Sequence, residues 1–179
     1  MHRLKTPFRI LLICLFAATG SIAQQKSQPN VNEIVLEAIQ GDDDTAPYGP
    51  CFKITFRRDG TALFTGKAKV KLIGDFESTI SEAEFAKLLS FLVSRKYWEI
   101  PDDPINSGRI TMVAGGGRFS VYGLSPWMMI SVADEHGDKK TIARPSNAQV
   151  ADAKKIPKAL LEIEQAIFDT ATRIKWKKI

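Results

Sequence analysis

The stretch "CFKITFRRDGTALFTG", residues 51–66, predicts a β-hairpin and thereby indicates the fold class. Before the turn, side chains alternate between an apolar and a more polar face, as on a strand with one buried side. Asp59 and Gly60 then favour a tight turn, because glycine adopts a positive φ without steric cost. A two-residue turn would place Phe56 opposite Leu63, so that both strands share one apolar face.

Residues on either side of this hairpin extend the predicted sheet. "VNEIVLEAIQ" (31–40) alternates as a half-buried strand, and "KVKLIG" (69–74) is predicted to continue the second hairpin strand. "GDDDTAPYGP" (41–50) is predicted to be a loop, because it is rich in turn-forming residues. The predicted inward positions of the two strands are Ile34, Leu36, Ala38, Val70 and Leu72.

Two helices and two further hairpins follow along the chain. Ser81 and Glu84 have capping-box spacing at the start of a helix within 79–101, and a second helix is predicted over 156–176. The helical apolar stripes are Phe85, Leu88, Leu89 and Leu92, then Leu160, Ile163, Ile167 and Ile174. The hairpins are "RITMV" and "RFSVY" around "AGGG", and "WMMISVADEHGDKKTIAR" (127–144), in which Met128, Ile130 and Val132 share a face.

The order of these elements predicts an α+β fold. Tight turns rather than helical crossovers join the strands, so the sheet should be mainly antiparallel. We expect about five to seven strands with two helices packed on the sheet.

The first 23 residues have the order of a secretory signal peptide. Three basic residues precede a short apolar run, and Ser21 and Ala23 stand at the small-residue positions of a cleavage site. The predicted organisation is a signal peptide (1–23), a disordered leader (24–31) and one α+β domain (32–179). Cleavage would remove three basic and no acidic residues and lower the net charge from +5 to +2, so the composition does not favour nucleic-acid binding.

The hairpin and the elements after it resemble a family of secreted bacterial domains of unknown function, DUF6438. The matching stretches are "CFKITF", "RRDGTALFTG", the helix from Ser81, "MMISVADEHGDKKTI" and "LLEIEQAIFDTATRIKW". The resemblance implies the same fold and an exported protein, and it implies no activity. The family pattern often has another cysteine a few residues before the one that opens the strand, where this chain has "TAPYGP". The family pattern also has a proline directly after the strand's cysteine, where this chain has Phe52.

Cys51 and His136 are the candidates for catalytic chemistry. Each is the only residue of its type after the signal peptide, and a thiolate activated by a base is a nucleophile. The alternative is that Cys51 is a small strand residue that packs as a hydrophobe, or pairs with a second chain. His136 lies in a predicted turn, so packing is the favoured interpretation of Cys51.

The acidic runs indicate turns rather than metal sites. Neither Asp42–Asp44 nor the 134–138 turn, with Asp134, Glu135, His136 and Asp138, has the spacing of a calcium loop. A zinc site usually takes three or four His or Cys ligands, and the mature chain offers two. No cofactor and no metal are therefore predicted, and "AGGG" is predicted to be a flexible turn.

Trp127 and Met129 are predicted as a partner surface, provided that they are exposed on the sheet face opposite Ile130. The basic tail "RIKWKKI" (173–179) is predicted to be a solvated helix end. No stable membrane span is expected after signal cleavage, because the apolar run is too short.

The function that the sequence favours is a non-enzymatic binding or accessory module, periplasmic or secreted, for an envelope or extracellular protein or ligand. Two alternatives remain. One is a small hydrolase or thiol-dependent enzyme that uses Cys51 or the 134–138 turn. The other is an inhibitor of an envelope enzyme.

Overall fold

The computed structural model describes residues 30–39, 49–104, 110–114, 117–121, 127–146 and 156–179. These residues form strands, two α-helices and a short 3-10 helix at Tyr97–Glu99. The helices are α1 (Glu82–Ser94) and α2 (Lys158–Arg173). The strands are β1 (Val31–Ile39), β2 (Cys51–Arg57), β3 (Thr61–Ala68), β4 (Gly74–Thr79), β5 (Ile110–Ala114), β6 (Gly117–Val121), β7 (Trp127–Asp134), β8 (Lys139–Pro145) and β9 (Lys177–Lys178).

Seven strands form one sheet in the order β8-β7-β1-β2-β3-β4-β9, and every neighbouring pair is antiparallel. The strands β5 and β6 pair separately as a two-stranded hairpin. With two helices, this architecture confirms the predicted α+β fold. The hairpins predicted around "AGGG" and around residues 134–138 are also present.

The register of the β2–β3 hairpin corrects the predicted one. Phe56 lies opposite Ala62 rather than Leu63, because the turn contains three residues instead of two. Gly60 closes it with φ +91°, and its N–H donates to the carbonyl of Arg57 at 3.1 Å. This is the pattern of a turn followed by one left-handed glycine. The one-residue shift moves Leu63 to the other face of the sheet.

The segment after β3 does not continue the strand, which corrects a second prediction. β3 ends at Ala68, and Lys69 takes a left-handed φ of +51°, after which the chain folds back over β3. The carbonyl oxygen of Leu72 lies directly above Gly66, 1.9 Å from where a Cβ would stand. Only glycine therefore permits this close approach. The chain then enters β4, which the sequence pattern did not predict.

Both helices pack on one face of the sheet. The predicted inward residues of β1, β2 and β7 join the buried side chains of α1 and α2 in one hydrophobic cluster. The capping box predicted for α1 is present: the Glu84 N–H donates to the Ser81 hydroxyl, and the Ser81 N–H donates to the Glu84 carboxylate. Hydrogen bonds from Ser81 lower the pKa of Glu84 below its usual value. Of the α1 stripe, Phe85, Leu88 and Leu92 are buried, and Leu89 is half-buried.

The C-terminal tail corrects a third prediction. α2 ends at Arg173, and the chain turns back to pair Lys177 with Glu77 of β4. The N–H of Ile179 donates to the carbonyl of Asp75 at 3.0 Å. The tail is therefore a short edge strand rather than a solvated helix end. Among the described residues, no helix is long and apolar enough to cross a membrane.

Candidate functional site

Cys51 and His136 lie at opposite ends of the sheet. Cys51 opens β2, and Ala38 pairs with both Phe52 and Met128, so Cys51 lies near the start of β7. His136 follows the end of β7. Eight residues of strand at about 3.3 Å each separate the two by roughly 25 Å. The structure therefore does not bring the thiol and the imidazole together, and Cys51 is a half-buried, free cysteine.

The 134–138 turn uses its acidic residues to hold its own backbone. One carboxylate oxygen of Asp134 accepts the N–H groups of His136 and Asp138, both at 2.9 Å. Glu135 accepts a hydrogen bond from Asn30, and its other oxygen lies 3.5 Å from His136 Nε2. In the described part of the chain, no three His, Cys, Asp or Glu side chains form a metal site. Asp42–Asp44 and residues 115–116 of "AGGG" lie outside the described residues.

Trp127 does not offer an open aromatic surface. The strand alternation places it with Met129 on the face opposite Ile130, as predicted, but only 4% of Trp127 is exposed. Met129 is half-buried. The predicted partner surface required both side chains to be exposed. Of the two, only Met129 reaches solvent appreciably.

An apolar pocket lies instead on the helix side of the sheet. Strands β2 and β3 form its floor, the segment after β3 forms one wall, and the last turns of α2 form the other. Its volume is about 560 Å³, within the range of about 300–1,000 Å³ that is usual for small-molecule sites. The residues that line this aromatic pocket are Pro50, Phe52, Ile54, Phe64, Val70, Lys71, Leu72, Phe168, Ala171, Thr172 and Trp176.

Four aromatic rings contact one another around the pocket. The ring centroid of Phe52 is 6.4 Å from that of Phe64 and 5.3 Å from that of Phe168. Phe64 lies 5.7 Å from Trp176. Phe52 is buried, but Phe64, Phe168 and Trp176 are each half-buried. The cluster therefore keeps aromatic surface in contact with water, which a ligand could cover.

The polar groups of the pocket have protein partners, with one exception. The indole N–H of Trp176 donates to the carbonyl of Ala171 at 3.0 Å, and the Thr172 hydroxyl donates to the carbonyl of Asp169 at 2.9 Å. Lys71 is the charged residue of the lining, and it is exposed. Within the described ranges, it forms no salt bridge.

A second groove, between α1 and α2, is less suited to a ligand. Its volume is about 520 Å³, but charged residues of both signs line it: Glu84, Lys87, Asp169 and Arg173. These charges are mutually balanced and exposed, so they favour water over an apolar ligand. Because its volume is similar, this α1–α2 groove is a matched control for the aromatic pocket.

The buried ion pair between β8 and α2 is structural. Nε of Arg144 lies 2.8 Å from one carboxylate oxygen of Glu164 and Nη2 lies 2.5 Å from the other. The side chains are 12% and 8% exposed. Since both carboxylate oxygens of Glu164 are occupied, this acid is not positioned for acid–base chemistry.

Sequence reasoning missed the aromatic pocket because its residues come from four separate segments. The alternation of Phe52 and Ile54 indicates an apolar face, and Trp176 stands at the end of the second predicted helix. In the structure Trp176 lies beyond the end of α2 and packs against Phe64. The sequence signal that could indicate the pocket is the presence of Phe52 and Phe64 in the hairpin together with Phe168 and Trp176 near the C-terminus.

Residues 44–111 match the family model described as a domain of unknown function, DUF6438, which confirms the resemblance seen in the sequence. No curated protein and no solved structure matches the chain. The matched segment includes β2, β3 and the wall of the aromatic pocket from Val70 to Leu72. The α2 side of the pocket lies beyond it.

Proposed function

We propose that this chain is an exported, non-enzymatic binding module of the cell envelope, and that its ligand lies in the aromatic pocket. The observation that carries the proposal is a concave apolar site in which Phe64, Phe168 and Trp176 stay half-buried. Covering apolar surface contributes about 25 cal/mol per Å², so an apolar ligand that fills the pocket gains free energy from these rings.

The placement of the reactive side chains supports binding over catalysis. The one histidine that the structure describes, His136, is remote from Cys51, and Asp134 and Glu164 are both engaged in structural hydrogen bonds. Nucleophilic or acid–base catalysis needs a reactive group within hydrogen-bond reach of its partner and of the substrate. The described residues that line the aromatic pocket include no carboxylate, imidazole or thiol.

The binding test uses the chain from Gln24 onward and the neutral fluorescent probe N-phenyl-1-naphthylamine. We expect saturable binding at micromolar probe concentrations. Thr172→Trp should abolish it, because residue 172 is exposed on α2 and a larger side chain there fills the pocket. Ser90→Trp, the matched substitution in the α1–α2 groove, should leave it unchanged. Probe binding that is equal in both variants would refute the site.

Export rests on the order of basic, apolar and small residues within 1–23. We expect residues 1–30, fused to alkaline phosphatase without its own signal, to give active enzyme in bacteria, since its disulfides form only outside the cytoplasm. Leu12→Asp, within the apolar run, should abolish activity, and Ser27→Asp, beyond the cleavage site, should not. An inactive wild-type fusion would overturn the proposal of export.

A further inference from the structure

We infer that the ligand of the aromatic pocket is a single-chain amphiphile with an anionic head, such as a fatty-acid carboxylate. The inference rests on the proposed function and adds the chemical class of the ligand. The pocket supplies an apolar surface and, among the described residues that line it, one cation, Lys71, at its wall. A polar ligand such as a sugar would find few hydrogen-bond partners there, because the N–H of Trp176 and the hydroxyl of Thr172 already have them.

The positive charge near Lys71 is larger than one residue. Lys69 and Lys71 alternate along the segment after β3 that forms the pocket wall, whereas Lys67 still belongs to β3; all three are exposed. None of them forms a salt bridge with any residue that the structure describes. The C-terminal tail adds Lys178, whose Nζ lies 3.9 Å from the position of a Cβ on Gly74. At the register shift between β2 and β3, Lys67 lies opposite Cys51, on the face away from the pocket, so the lysine rim (Lys69, Lys71 and Lys178) is what remains available to an anion.

Among the described residues, the acidic side chains of the neighbouring strand β4 have other partners. Asp75 accepts a hydrogen bond from the Thr65 hydroxyl at 2.7 Å, and Glu77 lies 3.5 Å from Nζ of Lys177. Both residues belong to β4 and are exposed on the sheet side away from the buried Phe76. They therefore do not neutralise the rim on the pocket side.

The geometry also orients the ligand. The C-terminal end of α2, which forms the opposite wall, carries the negative end of the helix dipole and disfavours an anion. The anionic head should therefore lie at the lysine rim, with the chain running toward Phe168 and Trp176. Ile73, which follows Leu72 in the chain, is a further apolar side chain that is 53% exposed.

The test measures displacement of N-phenyl-1-naphthylamine from the chain that begins at Gln24. The competitors are alkanoic acids of 8, 10 and 12 carbons and the matched alkan-1-ols, below their micelle concentrations. Affinity should rise about fourfold per methylene in both series. Each acid should bind about two- to fivefold more tightly than its alcohol at low salt, and added salt should reduce this preference.

Lys71→Gln should reduce the preference for acids, because Lys71 is the lysine that lines the pocket, and should keep the dependence on chain length. The matched control is Lys87→Gln, an exposed lysine of the α1–α2 groove, which should bind as the wild type does. Equal affinity for acids and alcohols in the wild type would overturn the inference and leave the proposed function intact. Probe binding that no amphiphile displaces would also overturn the inference and leave the proposed function intact. Absence of probe binding would overturn both.

Other occupants of the pocket would give different results, each of which overturns the inference. Binding to phosphatidylglycerol vesicles that survives Thr172→Trp would indicate a membrane surface rather than a single ligand. A dimer that Thr172→Trp disrupts would indicate a second copy of the chain. Probe binding that appears only after deletion of residues 41–47, which carry three aspartates, would indicate the chain's own acidic segment.

Discussion

Replacement of Gly66 by alanine tests how the wall of the aromatic pocket is held. A Cβ at this position would stand 1.9 Å from the carbonyl oxygen of Leu72. It would also stand 2.9 Å from Cε1 of Phe64 and 2.9 Å from Cγ2 of Val70. Because the closest atom belongs to the backbone, rotation of side chains cannot relieve the clash. The segment after β3 must move away from the strand.

The expected cost is about 2–3 kcal/mol in the free energy of unfolding, the upper part of the usual range for overpacking. For a domain of this size that corresponds to a fall of about 5–10 °C in Tm. Binding should weaken as well, since Val70 and Leu72 belong to both the clash and the pocket. Loss of about 50 Å² of apolar contact would lower probe affinity about tenfold.

Urea unfolding and N-phenyl-1-naphthylamine titration measure the two effects. The matched control is Gly137→Ala in the β7–β8 turn, where φ is +86° and nothing lies within 4 Å of the added Cβ. Backbone strain alone should cost about 1–2 kcal/mol there and leave probe affinity unchanged. If Gly66→Ala unfolded at the same urea concentration as the wild type, the steric argument would be refuted. Reduced stability with wild-type affinity would show that the segment is not a pocket wall.

Three further predictions concern other parts of the fold. Glu164→Gln should lower the free energy of unfolding by about 3–5 kcal/mol, because it leaves the buried Arg144 guanidinium poorly compensated. Arg144→Met combined with Glu164→Leu should lower it less, and a double-mutant cycle in urea measures the difference. Tyr97→Phe should cost about 1–3 kcal/mol, because the buried hydroxyl lies 2.9 and 3.0 Å from two backbone carbonyls. Burial raises the pKa of Tyr97, and the charge of Asp102 adds to this. The stabilisation by Tyr97 is therefore complete below about pH 10 and declines at higher pH, because the hydroxyl then ionises in the unfolded chain. The stability of the Phe variant at pH 9 and 11 should lack that decline. Cys51→Ser should change neither probe affinity nor stability by more than about 0.5 kcal/mol, and a large loss of affinity would revive a role for the thiol.

Local rules sufficed for much of the fold. The alternation in β1 and in β7 identified the buried face, because a strand with one covered side repeats every two residues. The capping box at Ser81 and Glu84 located the start of α1 for a similarly local reason. In each case the physical cause lies within a few residues of the chain.

Tertiary contacts decided the features that the sequence did not predict. Asp59-Gly60 suits both a two-residue and a three-residue turn, and the observed turn buries Ala62 opposite Phe56. The break after β3 depends on the approach of Leu72 to Gly66, which periodicity does not encode. Periodicity also cannot show that α2 ends at Arg173, since the tail leaves the helix to pair with β4.

Strand alternation separates the two candidate sites that the opening hairpin contains. Cys51 and Phe52 are adjacent, so their side chains point to opposite faces of the sheet. Phe52 is buried on the helix side and forms part of the aromatic pocket. Cys51 is half-buried on the other side. A thiol reaction at Cys51 would therefore take place on the face away from the pocket.

The width of the sheet explains why a pocket exists on its helix side. Seven strands at about 4.8 Å spacing span roughly 29 Å, whereas two helices packed about 10 Å apart cover roughly 20 Å. The two described helices thus leave a strip about two strands wide without helical cover. On the β3–β4 side, the bent segment after Ala68 and the returning tail with Trp176 cover this strip only in part. The aromatic residues between them, above all Phe64, remain half-buried because loops rather than a third helix border them.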